Sequence, residues 1–113
     1  MSPPADEPVE VSITADNPDW LVEFTRSLIQ DRLCASGNIT SPIRSLYWWD
    51  GRVFDRTEAR VTLHTRRSLV PSIIERTRSE HEYIVPCVIA IPIIEGNPEY
   101  LDWIIAETAD PAA

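Results

Sequence analysis

Lysine is absent from the 113-residue sequence: all ten basic residues are arginine, set against 18 aspartates and glutamates, for a formal net charge of −8. A negative excess of that size excludes the broad basic surface by which proteins hold nucleic acid or an anionic membrane. Glycine is nearly as scarce. Gly37, Gly51 and Gly96 lie too far apart to build a Gly-rich phosphate loop, which argues against dinucleotide and P-loop chemistry. The two cysteines, Cys34 and Cys87, make neither a disulfide framework nor a four-cysteine zinc site, and the expectation is a pair of reduced thiols in a cytoplasmic protein. The longest apolar run, Ile84 to Ile94, is interrupted by Pro86 and Pro92 and is far shorter than the roughly 20 residues of a spanning helix, so no membrane partner is expected. Asp6, Glu7 and Glu10 stand where an export signal has a basic start and an apolar run, and no export is expected either.

What is present is a hydrophobic fraction of 43%, four tryptophans and ten prolines. That is enough apolar material for one folded domain, expected over residues 9–113 behind an acidic, Pro-rich flexible tail at residues 1–8. Val9, Val11 and Ile13 alternate with Glu10, Ser12 and Thr14, the period of a half-buried strand. Asn17-Pro18-Asp19 then offers an N-cap, a first-turn proline and an acid for the positive end of the helix dipole. The helix is predicted to run to about Leu33 with Leu21, Phe24 and Leu28 on its apolar stripe.

Asp50-Gly51, between two strand-like runs, is the preferred chemistry of a two-residue hairpin turn. Taken literally, it opposes Trp49 to Arg52, Trp48 to Val53 and Tyr47 to Phe54. One face then carries Tyr47, Trp49, Arg52 and Phe54, the other Leu46, Trp48 and Val53, so both are largely apolar. A second helix is predicted from near Ser68 to near Glu80, with Pro71 in its first turn. A last strand, about Val85 to Ile94, contains two prolines and is expected at a sheet edge. Asn97-Pro98-Glu99 repeats the helix-start chemistry and opens a C-terminal helix carrying Leu101, Ile104 and Ile105.

The order strand, helix, strand, strand, helix, strand is the split pattern of an α+β ferredoxin-like βαββαβ sandwich, here with an additional C-terminal helix. In that topology the first and third strands are central. The second and fourth are edges, and here they carry apolar residues on both faces. Exposed apolar edges are an aggregation liability unless covered, so a homo-oligomer is expected in which the aromatic hairpin packs on neighbouring subunits. The alternative is that the last helix, with Tyr100 and Trp103, covers that surface within one chain.

Among candidate chemistry, His81 and Cys87 pair an imidazole with a thiol, a combination suited to Cu or Zn. The plain alternative is that His81 caps the second helix and Cys87 is a small packed residue. His64 lies on the polar face of a strand with Arg60 and Thr62, which suits either an anion or solvent. Tyr47, Trp48 and Trp49 form either a stacking platform for a ligand or part of an interface. No nucleophile, base and orienter set is visible along the chain, and no enzymatic activity is expected.

The segments YWWDG at 47–51, HEYIVP at 81–86 and GNPEYLDWI at 96–104, in this order, resemble the CutA family of divalent-cation tolerance proteins over roughly residues 9–108. The resemblance implies a homotrimer of ferredoxin-like subunits with interlocking hairpins. It also implies a non-enzymatic role in the response to copper and other divalent ions, with Cys, His and Glu side chains as suggested ligands. The match is partial at those positions. The family run LAACVNI corresponds to residues 33–39, so Ser36 stands at the usual cysteine and the thiol lies at Cys34. The run HPYEVPE corresponds to residues 81–87, where Ile84 and Cys87 replace glutamates. On this reading His81 and Cys87 are the metal candidates. The alternative is a trimeric module similar to PII-type regulators, whose intersubunit clefts bind a small ligand or partner protein through Tyr47, Trp49, Arg52 and Tyr83.

Overall fold

A computed structural model describes residues 6–110 of the chain. In chain order the elements are β1 (Pro8–Ala15), α1 (Pro18–Gln30), β2 (Ser36–Trp49) and β3 (Arg52–Arg66), followed by a short 3-10 turn (Arg67–Leu69), α2 (Val70–Glu80), β4 (Val88–Pro92) and α3 (Pro98–Ala106). The strands form one antiparallel sheet in the order β2-β3-β1-β4. This is the expected α+β ferredoxin-like arrangement, with β1 and β3 central, β2 and β4 at the edges, and an extra C-terminal helix.

The core forms where period-two strands meet period-3.6 helices. Val9, Val11, Ile13 and Ala15 of β1 and Ala59, Val61 and Leu63 of β3 point to one side of the sheet, where Leu21, Phe24 and Leu28 of α1 and Ile73 of α2 cover them. The α1 N-terminus is built as its sequence specifies: the Asn17 side chain accepts from the N–H groups of Asp19 and Trp20 at 2.9 and 3.2 Å. Its C-terminus is not where the periodicity places it. The helix stops at Gln30 because Arg32 takes a left-handed conformation (φ 63°). The Arg32 N–H then donates to Ile29 O and the Leu33 N–H to Leu28 O, a Schellman closure made with arginine at the position usually held by glycine.

Two further expectations are corrected, and one alternative is set aside. Residues 6–8, assigned to the flexible tail, are held: Asp6 accepts from the Ser68 N–H and hydroxyl, Glu7 O accepts from the Arg67 N–H at 2.7 Å, and Pro8 opens β1. The rest of that tail, residues 1–5, lies outside the described residues. The last strand spans only Val88–Pro92, because Pro86 has no N–H to donate and Ile84 and Val85 lie outside the ladder in solvent. The alternative in which the last helix covers the hairpin within one chain does not hold. That helix, α3, packs across the outer face of β3 and β1, where Arg66 donates to Ile105 O, Thr108 O and Thr108 Oγ1, satisfying carbonyls at the helix end with a cation.

Cys34 is fully buried beneath this core. Desolvation lifts its thiol from an ordinary 9.0 to about 12. The fold therefore favours the neutral thiol, a contribution complete below pH 9 and lost as pH rises toward 12. Wild-type stability relative to Cys34→Ala is expected to fall by on the order of 2–3 kcal/mol between about pH 8 and about pH 11 in denaturant titrations. A constant difference between the two proteins across that interval would refute the assignment.

Candidate functional site

Pairing of β1 with β3 ends at Ala15 opposite Ala59, so Arg52–Glu58 of β3 is paired with β2 alone. Beyond the body of the sheet the hairpin is a two-stranded ribbon about 20 Å long, and it accounts for the elongated 50 × 26 × 25 Å outline. Asp50 and Gly51 both have positive φ (52° and 75°), as a type I′ turn requires, and the register is the one read from the sequence. Both faces of the ribbon are open. Trp48 is 75% exposed, Leu46 63% and Val53 55%, beside an Arg44–Asp55 bidentate pair at 2.9 and 2.6 Å that fastens the two strands. On the opposite face Tyr47 stacks on Phe54 with centroids 5.6 Å apart, and the Arg52 guanidinium sits 4.4 Å above the Phe54 ring. Tyr47, Trp49 and Arg52 are thus brought to one face.

Tyr83 is not part of that platform. Its hydroxyl lies 2.7 Å from both Asp16 Oδ1 and the buried Glu58 Oε2, at the end of β1. Burial and the two carboxylates push the phenol well above its ordinary range, so it remains a donor. Arg56 approaches Asp16 at 3.7 Å and connects this cluster to the base of the ribbon. Because the contributing residues are 42 and 25 positions apart in the chain, no local spacing announces the cluster.

His81 is buried, with its Nε2 donating to Thr14 O at 2.8 Å and its Nδ1 accepting from the Tyr83 N–H at 3.0 Å. Its ring also packs on Trp20 and Tyr83. Both nitrogens are therefore engaged in fastening the segment after α2 to β1, and coordination at either one displaces a hydrogen bond. Only the backbone N–H of His81, not its ring, reaches the end of α2, at Thr77 O. Cys87 is exposed and unpaired with Cys34, and Ile84 is 88% exposed. Among the described residues no three His, Cys, Asp or Glu side chains converge on a point that could hold a metal ion. The His81 and Cys87 side chains do not amount to a donor set within one chain.

A profile of the CutA1 divalent ion tolerance protein family matches residues 9–107. The chain belongs to the CutA1 family. It is 37% identical over 102 residues to Protein CutA 1, chloroplastic, of Oryza sativa subsp. japonica, covering 90% of this chain and 58% of the rice protein. It is 36% identical over 98 residues to the divalent-cation tolerance protein CutA of Thermus thermophilus, covering 87% and 95%. The chain thus spans little more than half the length of the rice, mouse and Arabidopsis relatives it matches. Crystal structures agree: rice CutA1 superposes with a TM-score of 0.89 at 36% identity over 92% of this chain and 95% of that one, and the Thermus thermophilus protein with 0.87 at 34% over 90% and 99%. Among the described residues, no helix is long and apolar enough to cross a membrane.

Proposed function

We propose that this CutA1 chain acts as a homotrimer in tolerance of divalent cations, with the ribbons of three subunits packed around one another. The observation that supports it is the ribbon itself: Leu46, Trp48, Trp49 and Val53 stand in solvent on a two-stranded extension that is marginal alone. Ile89 and Ile91, each 53% exposed on the β4 edge, extend the apolar surface that subunits would cover. The free thiols of Cys34 and Cys87 suit a reducing, cytoplasmic setting.

Metal contact on this reading is weak and at the surface. Cys87 supplies an accessible soft ligand for zinc or copper, and the remaining donors come from a neighbouring subunit or solvent. Calorimetric titration of chelator-stripped protein with Zn is expected to show binding at least about tenfold tighter than millimolar that is lost in Cys87→Ser and retained in His81→Ala. Binding no stronger than roughly millimolar, about −4 kcal/mol, in the wild type removes the metal reading. Equal binding in Cys87→Ser removes the site.

A second reading, a small planar anion held in an intersubunit cleft, is favoured by the Arg52 guanidinium over the Tyr47–Phe54 stack. Quenching of tryptophan fluorescence by an aromatic carboxylate, abolished in Arg52→Ala, would support it. An unchanged titration in that variant would remove it.

A further inference from the structure

On the outer face of the sheet, α3 completes a hydrogen-bonded relay from three distant segments. Glu10 Oε1 of β1 lies 2.9 Å from His64 Nε2 of β3, and His64 Nδ1 lies 2.6 Å from the Tyr100 hydroxyl of α3. The carboxylate accepts from Nε2–H, which leaves the lone pair on Nδ1 to accept the phenolic O–H. This is the geometry of a hydroxyl nucleophile, its base and the group that orients the base. Ser36 Oγ, 3.4 Å from both His64 Nδ1 and Tyr100 Oη, offers a further hydroxyl beside the phenol oxygen. The Tyr100 ring is held on two sides, edge-on to His64 with centroids 5.6 Å apart and stacked on Trp103 at 5.5 Å. Tyr100 is nonetheless 40% exposed, so a reagent reaches it.

Beside the relay lies an open cleft of about 330 Å³ between the end of α1 and α3, with Ile29, Cys34, Ala35 and Trp103 among its walls and the Arg32–Glu107 ion pair at its rim. Trp103, one wall of the cleft, is the ring stacked on Tyr100, and Ala35, another, precedes Ser36 in the chain. The Cys34 thiol there stays protonated, for the reason given above, and does not compete as a nucleophile. The surroundings select the electrophile. Glu10 and the neighbouring Glu99, in a chain of net charge −8, disfavour a polyanionic phosphoryl donor, whereas Ile29, Ala35 and Trp103 give an uncharged acyl chain an apolar wall to lie against.

We propose that Tyr100 is a covalent modification site that accepts an acyl group from a thioester. The Tyr100 oxygen attacks the thioester carbonyl carbon and the phenolic proton passes to His64 Nδ1, the resulting imidazolium being stabilised by Glu10. The C–S bond then breaks, and the departing thiolate takes the proton from His64. The products are a tyrosyl ester and a free thiol. One acyl group is transferred per chain; the modification is stoichiometric, not turnover, and it is independent of the cation reading.

The test incubates the intact protein with the octanoyl thioester of N-acetylcysteamine and, without added thiol, maps acyl groups residue by residue by mass spectrometry, which separates acyl-Tyr100 from acyl-Cys87. Tyr100 is expected to label at least about tenfold faster than partly buried Tyr47, which has no imidazole partner. His64→Gln is expected to slow Tyr100 labelling by about a hundredfold, and Glu10→Gln to slow it as well. Labelling of Tyr100 no faster than that of Tyr47 in the wild type overturns the proposal, a result that does not depend on any variant folding. So does an unchanged rate in a His64→Gln protein whose circular dichroism matches the wild type.

Discussion

Trp48→Asp combined with Val53→Asp is expected to convert the assembled protein into a folded monomer. The two residues oppose each other on one face of the ribbon, and neither touches the core beneath α1 and α2. Full burial of side chains of this size contributes about 1.5–3 kcal/mol each, and a carboxylate placed in a desolvated interface costs more than the lost contact. The dissociation constant is therefore expected to rise at least about a thousandfold, roughly 4 kcal/mol. Sedimentation equilibrium at low micromolar concentration measures this directly, and unchanged far-ultraviolet circular dichroism confirms that the body of the domain persists. A double variant that sediments like the wild type, or a wild type that is itself a monomer, refutes the ribbon-mediated assembly. The Arg44–Asp55 pair on the same face is already charged, which places the apolar contact at the distal part of the ribbon, around Trp48 and Val53.

Gly37→Ala is expected to be the most destabilising single change outside the apolar core. Gly37 is the second residue of β2 and lies against Thr25 of α1, and a Cβ there would lie 2.5 Å from Thr25 Cγ2, 3.1 Å from Val61 Cγ2 and 3.2 Å from Leu63 Cδ2. Thr25, Val61 and Leu63 are all buried and have no solvent side into which to retreat. The Thr25 hydroxyl is already buried without a hydrogen-bond partner among the described residues, so rotating it does not restore a lost bond. Overpacking of this kind costs about 1–3 kcal/mol. In a domain of this size that is a drop of roughly 4–8 °C in Tm per kcal/mol. Thermal denaturation of Gly37→Ala beside Gly51→Ala separates the two glycines. The turn glycine has open space around its missing Cβ, and its substitution is opposed only by its positive φ. Equal or smaller losses in Gly37→Ala would show that α1 shifts without cost.

Local chemistry made much of the fold legible. Asp50-Gly51 announced a turn with both central residues at positive φ, and from that turn the period-two rule set the pairing of Trp49 with Arg52 and of Tyr47 with Phe54. Asn17-Pro18 and Asn97-Pro98 marked two helix starts that the structure caps through the same asparagine side chains. The end of α1 is not legible in the sequence, because its left-handed residue is Arg32 and not the glycine that advertises that conformation. The reading of the last strand as Val85 to Ile94 is too long at both ends, because Pro86 interrupts the ladder and leaves apolar Val85 in solvent, and Ile94 beyond Pro92 is exposed as well. His81 is legible both as a chemically capable residue and as a satisfied one, but the partner the sequence suggests for its ring, the end of α2, is not the one it finds. Its partners, Thr14 O and the Tyr83 N–H, come from opposite sides of the ring, and one of them is 67 residues away.

By itself, then, the sequence determined the elements, the central and edge strands, the hairpin register and the family. Each of these depends on neighbours within a turn or a strand, where capping, turn chemistry and periodicity act. Only the tertiary structure decided which side chains share a site. The Tyr83 hydroxyl meets Asp16 and Glu58 because the chain after α2 folds back to the end of β1. Glu10, His64 and Tyr100 form a relay because α3 lies across the outer face of the central strands instead of over the ribbon. Where a helix lands on a sheet is set by shape and by burial summed over the whole domain, and no stretch of local sequence encodes that sum.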